Sequence, residues 1–205
     1  MWIAKRLTRV YQTRGIGGFA QFVRTRLAHR REDLLFDMSL GAVAPAPAPA
    51  AFDIVVVDRN SIGTASVADI ERQVFVNDNV DYRAGLTQDD MLFAAVAGDG
   101  RVLSYGFVLF RSFYKRVLRE PIDVPMIGNC FTEPEARGRG LYPALLRAMC
   151  DELARRGHRR VIISCAPDNV ASRRGIERAG FRAVHHLVSV VLLSRLIVWQ
   201  RARLF

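Results

Sequence analysis

The sequence predicts an α/β protein built on a mixed sheet, and three stretches predict it. Ile127-Gly128-Asn129-Cys130-Phe131-Thr132 reads as a strand closing at Pro134, followed by a glycine-bearing basic turn and a helix. Farther on, Arg160 to Cys165 is β-branched, Val170 to Ala179 is a short helix opened by Asp168-Asn169, and Gly180-Phe181 leads into another strand. Upstream, Met91 to Ala97 and Arg101 to Phe110 flank Asp99-Gly100, a favoured tight-turn pair, so they form an antiparallel hairpin.

Taken in order, the chain opens with a basic segment. Lys5, Arg6, Arg9, Arg14, Arg24 and Arg26 lie there, and no acid precedes Glu32. Ile3, Leu7 and Val10 mark one apolar stripe, Phe19, Phe22, Val23 and Leu27 another, and Gly15 to Gly18 separates them. This predicts two short amphipathic helices, either a cap on the domain or a membrane-surface pair. An Arg-rich, acid-poor mitochondrial presequence would look similar. Charges interrupt every candidate secretory core. Glu32 to Leu40 reads as a strand, and the Ala/Pro run from 44 to 50 as an extended spacer of roughly 20 Å.

The expected organisation is therefore an extension over 1–42, a linker over 43–51 and the main domain over 52–205. Phe52 to Val57 is its first strand, and Ser66 to Phe75 a helix with Ile70 and Val74 inward. Val80 to Asp90 reads as irregular. Lys115, Arg116 and Arg119 read as a solvated loop, with contact to an acidic acceptor or to nucleotide phosphates as the sharper alternative. Beyond Phe181 the strand continues through Leu193 and looks buried on both faces; His185 and His186 point to opposite sides of it. Leu196, Ile197, Val198, Trp199 and Leu204, interspersed with arginines, predict a last basic amphipathic helix. That run is too short and too interrupted to span a bilayer.

The central turn carries the chemistry. Leu141, Leu145, Leu146, Met149 and Leu153 recur along one helix face, and Pro143 sits in the first turn, where its missing N–H does no harm. The first N–H groups of a helix have no partner inside it, and the peptide dipoles place roughly half a positive charge there. Gly138 and Gly140 let the backbone curl around a phosphate, and Arg137 and Arg139 add permanent charge. A pyrophosphate is the natural guest. The stretch is not a P-loop, since no Gly-Lys-Ser/Thr follows, and it is not a dinucleotide fingerprint, since a third glycine is missing.

Together, Pro134, Arg137-Gly138-Arg139-Gly140-Leu141 and the later Asn169, Ser172 and Gly180-Phe181 resemble the GNAT acyltransferase superfamily over about Phe52 to Leu193. The resemblance implies a mixed sheet whose central strands splay, with coenzyme A across the gap. Arg137, Gly138, Arg139, Gly140, Leu141 and Tyr142 would hold its pyrophosphate. Phe131 and Thr132 would line the pantetheine arm, with Asn169 and Ser172 on the far side. Two positions depart from the family pattern. The Gln/Arg-x-x-Gly-x-Gly/Ala consensus ends on Tyr142 when counted from Arg137, and begins with an acid when counted from Glu135. Ile176 stands where many members carry a tyrosine that protonates the departing thiolate.

The expected reaction is acyl transfer, most simply acetyl, from acetyl-CoA to an amine or hydroxyl. Asn129, Thr132 and His185 are the candidates for catalysis, and Tyr142 and Ser172 for donation to sulfur. No metal is expected, because Cys130, Cys150 and Cys165 lack ligand spacing; their odd number suits a reducing compartment. A formal charge of +10 on 205 residues points to an anionic partner. The readings are a glycan-precursor amino sugar as acceptor, an anionic membrane at the inner face, and an acidic acyl-carrier protein as donor. A binding module without chemistry is the alternative from another class. Nucleic acid fits least, because the basic ends lack recognition motifs. The compartment expected is the cytoplasm.

Overall fold

A computed structural model describes residues 28–42, 52–76, 80–112, 115, 118, 120–192 and 195–204. The expected N-terminal helices and the Ala/Pro spacer lie outside the described residues. The strands are β1 (Ala28–Ser39), β2 (Asp53–Val57), β3 (Met91–Val96), β4 (Val102–Leu109), β5 (Met126–Thr132), β6 (Arg160–Cys165), β7 (Arg182–Leu192) and β8 (Arg195–Arg203). The helices are α1 (Ala68–Val74), α2 (Val80–Leu86), α3 (Leu141–Arg155) and α4 (Val170–Ala179). All eight strands form one sheet, ordered β2-β3-β4-β5-β6-β1-β7-β8.

Every neighbouring pair is antiparallel except β5 and β6, the parallel pair at the centre. That pair is short. Only Met126↔Ile162 and Ile127↔Ile163 are in register, whereas β4 follows β5 as far as Ser104↔Thr132, and β1 follows β6 to Leu34↔Cys165. Beyond Ile127 the two central strands part.

The helix reading of 141–155 holds because its apolar stripe has somewhere to go. Leu145, Leu146, Met149 and Leu153 are wholly buried against β1, β3, β5 and β6, at about 1.5–3 kcal/mol for each large side chain. Ile176, Ala179 and Phe181 carry α4 into the same core. The opposite face is covered in part by α1, where Ile70 and Val74 meet Leu92, Ala94 and Phe107.

Three expectations change. Val80–Leu86 is a helix, not an irregular stretch; Leu86 is fully buried and Tyr82 stacks on Phe107 at 4.8 Å, so burial overrides a weak local pattern. Arg195–Arg203 is a strand paired with β7 from Leu192↔Arg195 to His185↔Arg203, not a helix; its Ile, Val and Trp favour a pleated surface. Lys115 is 1% exposed rather than solvated, and its Nζ donates to the carbonyls of Ile122 and Val124 at 2.7 Å each. The expected strand before the Ala/Pro run is present as β1, and it lies inside the sheet between β6 and β7. Residues 28–39 are thus part of the same sheet as the domain expected from 52 onward.

Candidate functional site: a groove where the central strands part

The turn after β5 does what its glycines predict. Gly138 (φ 78°) and Gly140 (φ 76°) both adopt the left-handed region, and Gly140 caps α3 without any side-chain hydrogen bond. A Cβ at either glycine would meet nothing within 4 Å, so the loop faces open space. Ala144 donates to the Gly140 carbonyl at 3.2 Å, while the amides from Gly138 to Tyr142 make no hydrogen bond among the described residues. Arg137 is anchored by its Nε on the Thr132 carbonyl at 3.1 Å, which fixes the loop to the end of β5. The amides therefore stand open as an anion nest at a helix N-terminus.

A groove of about 630 Å³ runs from this nest between the end of β5 and α4. Phe131, Thr132, Arg137, Gly138, Gly140 and Leu141 line one side, and Asn169, Ser172, Gly175 and two arginines of α4 the other. Among the described residues, no carboxylate lines it. Its interior is dominated by Tyr142, whose hydroxyl lies 3.4 Å from Ser172 Oγ. The ring rests against Gly175, where a Cβ would come within 2.4 Å of it. Burial is the main cause that pushes the Tyr142 phenol well above its usual range, and it pushes the neighbouring Cys130 thiol up to about 12. Both groups are neutral at physiological pH.

The strand side of the groove is shaped by an irregularity. The β4–β5 register shifts between Tyr105 and Phe107, and at that point Asn129 takes φ 48°, the single non-glycine residue with positive φ among those described. The extra residue of this bulge lies opposite Gly106, where a Cβ would press on Cys130 Sγ at 2.7 Å and Met149 Cε at 2.9 Å.

A protein-family model described as an acetyltransferase (GNAT) domain matches residues 62–182. The chain belongs to the GNAT acetyltransferase superfamily. Among solved structures, the chain resembles a GNAT-family acetyltransferase from Colwellia psychrerythraea (TM-score 0.54, 15% identity, 92% of this chain and 63% of that one). It also resembles a Drosophila protein (0.58, 15%, 90% and 58%) and a GCN5-related N-acetyltransferase from Sphaerobacter thermophilus (0.50, 18%, 86% and 56%). These likenesses are of fold, and the chain spans less than two thirds of the length of each of these structures. No curated protein matches the sequence.

Phe131, Thr132, Arg137, Gly138, Gly140, Leu141, Tyr142, Asn169 and Ser172 all line the groove; Arg139 is exposed beside it. Asn169 is also the N-cap of α4, accepting from the Ser172 amide at 3.1 Å. Thr132 packs its hydroxyl 2.9 Å from Ser104 Oγ, and Asn129 is exposed on the bulge. His185 is not brought to them. It stands on β7, opposite Leu35 of β1, so β6 and β1 lie between it and β5. At the usual inter-strand spacing that is ~14 Å. His186, on the other face, is 2.9 Å from Glu32.

Sequence reasoning missed Cys130, Ala136, Pro143, Ala171, Arg174, Gly175 and Arg178 as lining residues. The signal for the last four was available, since positions 171, 174, 175 and 178 share one face of a helix whose Asn169 had been placed at the site. Cys130 depends on the bulge and was not readable. Among the described residues, no helix is long and apolar enough to cross a membrane.

Proposed function

We propose that this chain is an acetyltransferase that moves an acyl group, most simply acetyl, from a coenzyme A thioester to an amine or hydroxyl. One observation carries the reading: an open amide nest sits at the mouth of a carboxylate-free groove just where β5 leaves β6. The bound donor supplies an activated acyl carbon and a thiolate leaving group. The amides of 138–142 and Arg137 hold its diphosphate. The β5 backbone past Ile127, freed from β6, lines the arm and offers N–H groups to the carbonyl oxygen.

Among the candidate side chains, none is a strong base. Asn129 does not titrate, Thr132 is tied to Ser104, and His185 is strands away. Rate enhancement therefore rests on alignment of donor and acceptor, which can supply about 7–11 kcal/mol, with an ordered water removing the ammonium proton. Tyr142, neutral and bonded to Ser172, is the protonated group available on the α4 side, where Ile176 is buried in the core.

For the acceptor we favour an anionic or membrane-linked amino sugar of a surface-glycan pathway, because the chain carries ten excess positive charges. Peripheral attachment at the inner membrane face accompanies that reading. Donor binding is tested by thermal shift: acetyl-CoA in excess should raise the melting temperature of the wild type. In Gly140→Val, where a β-branched side chain is forced to φ 76°, the shift should vanish while the fold persists. No shift for the wild type with any CoA thioester would remove the proposal. A free-thiol release screen over amino sugars and simple amines identifies the acceptor.

A further inference from the structure

The nest accounts for a diphosphate, but the opposite wall of the groove carries positive charge that a diphosphate does not use. Arg174 and Arg178 are four residues apart on α4, hence one turn apart on the same face, and both line the groove together with Ala171 and Gly175. Neither forms an ion pair among the described residues, and no Asp or Glu lines the groove to neutralise them. Some arginines are held by carboxylates, as Arg83 is by Glu71, Arg156 by Asp58 and Glu152, and Arg160 by Asp37 and Glu120, and others by backbone carbonyls, as Arg137 is by Thr132 and Arg173 by Pro167. Arg147 reaches the carbonyl of Arg178 and not its side chain, so it steadies the last turn of α4 without supplying the missing negative charge.

Two uncompensated guanidinium groups a turn apart repel each other unless an anion lies between them, and their forked N–H donors match a phosphate. We infer that Arg174 and Arg178 form a second anion site, specific for the terminal phosphomonoester on the ribose of the donor nucleotide. This rests on the donor reading above and adds a discrimination to it. Free CoA carries the 3′-phosphate as well as the diphosphate. A pantetheine arm on a carrier protein has only a phosphodiester, so it leaves the pair unfilled. The site thus selects the free nucleotide thioester over the protein-bound arm.

The test is calorimetric titration of the full chain with CoA and with 3′-dephospho-CoA. Wild type should bind CoA at least about tenfold more tightly, the scale of one charge-assisted contact. In the doubly substituted Arg174→Gln/Arg178→Gln chain the two ligands should bind alike, with affinity for dephospho-CoA unchanged from wild type. The preference should also shrink as salt rises. Equal affinities in the wild type, or an equal loss for both ligands in the variant, would overturn the second anion site while leaving the donor reading intact. Wild type that binds neither ligand would remove the donor reading, and this site with it.

Discussion

Tyr142 and Gly175 show how one residue can be fixed by another thirty-three positions away. The tyrosine ring occupies the space a Cβ at Gly175 would take, at 2.4 Å from ring carbon Cδ1. Gly175→Ala should therefore drive the ring off α4 and destabilise the fold by about 1–3 kcal/mol, as overpacking does. Adding Tyr142→Ala to Gly175→Ala should recover part of that loss in a double-mutant cycle by urea unfolding; strict additivity would mean that the contact is unimportant. A second residue-scale expectation concerns Cys130, whose thiol burial pushes up to about 12. Its alkylation by iodoacetamide should stay slow through pH 9, because the thiolate is the nucleophile and is scarcely formed. Gly138 and Gly140 were legible in the sequence because a turn needs them locally. Gly175 was not, since its reason is a ring from a different helix.

Among the elements, the turn between α2 and β3 links burial to pH. Asp90 accepts the Phe110 amide at 2.8 Å, yet desolvation outweighs that bond and holds its carboxyl above the ordinary 3.8. The folded chain thus keeps the Asp90 proton more tightly than the unfolded chain does. By linkage, this group's contribution to stability falls as pH rises from about 3.8 through the raised value. Asp90→Asn still accepts from Phe110 through its amide oxygen but has no charge to desolvate. Its stability, measured by urea unfolding between pH 3.5 and 6, should gain on the wild type as pH rises; a constant difference would contradict this. Element boundaries were legible where an apolar stripe was long, as in α3. They were not legible for α2 and β8. Seven residues leave helix and irregular structure hard to separate by periodicity, and the mixed Arg/apolar pattern at 195–203 suits either a helix or a strand until β7 offers its edge.

At the scale of the whole molecule, the sheet is closed by a strand that the sequence sets on the far side of an Ala/Pro run. β1 pairs Leu34↔Cys165 through Ser39↔Arg160 with β6, and Ala28↔Leu192 through Asp37↔Arg182 with β7. Its side chains feed both faces: Phe36 and Met38, with Leu40 just beyond the strand, enter the core under α3, and Leu35 packs with Met126, Ile162 and Leu187 on the other side. The strand itself was legible in the pattern from Glu32 to Leu40. Its place was not, because pairing across more than a hundred residues leaves no local trace. The consequence is sharp. A chain beginning at residue 52 would strip four buried apolar side chains from the core, and leave β6 and β7 with facing rows of unpaired amides and carbonyls. Such a chain should fail to give a cooperative thermal transition and should aggregate, whereas one beginning at residue 28 keeps all eight strands and should unfold cooperatively. Circular dichroism melting of the two truncations decides it: a cooperative transition from the shorter chain would mean that the rest of the sheet is self-sufficient and that β1 merely decorates it.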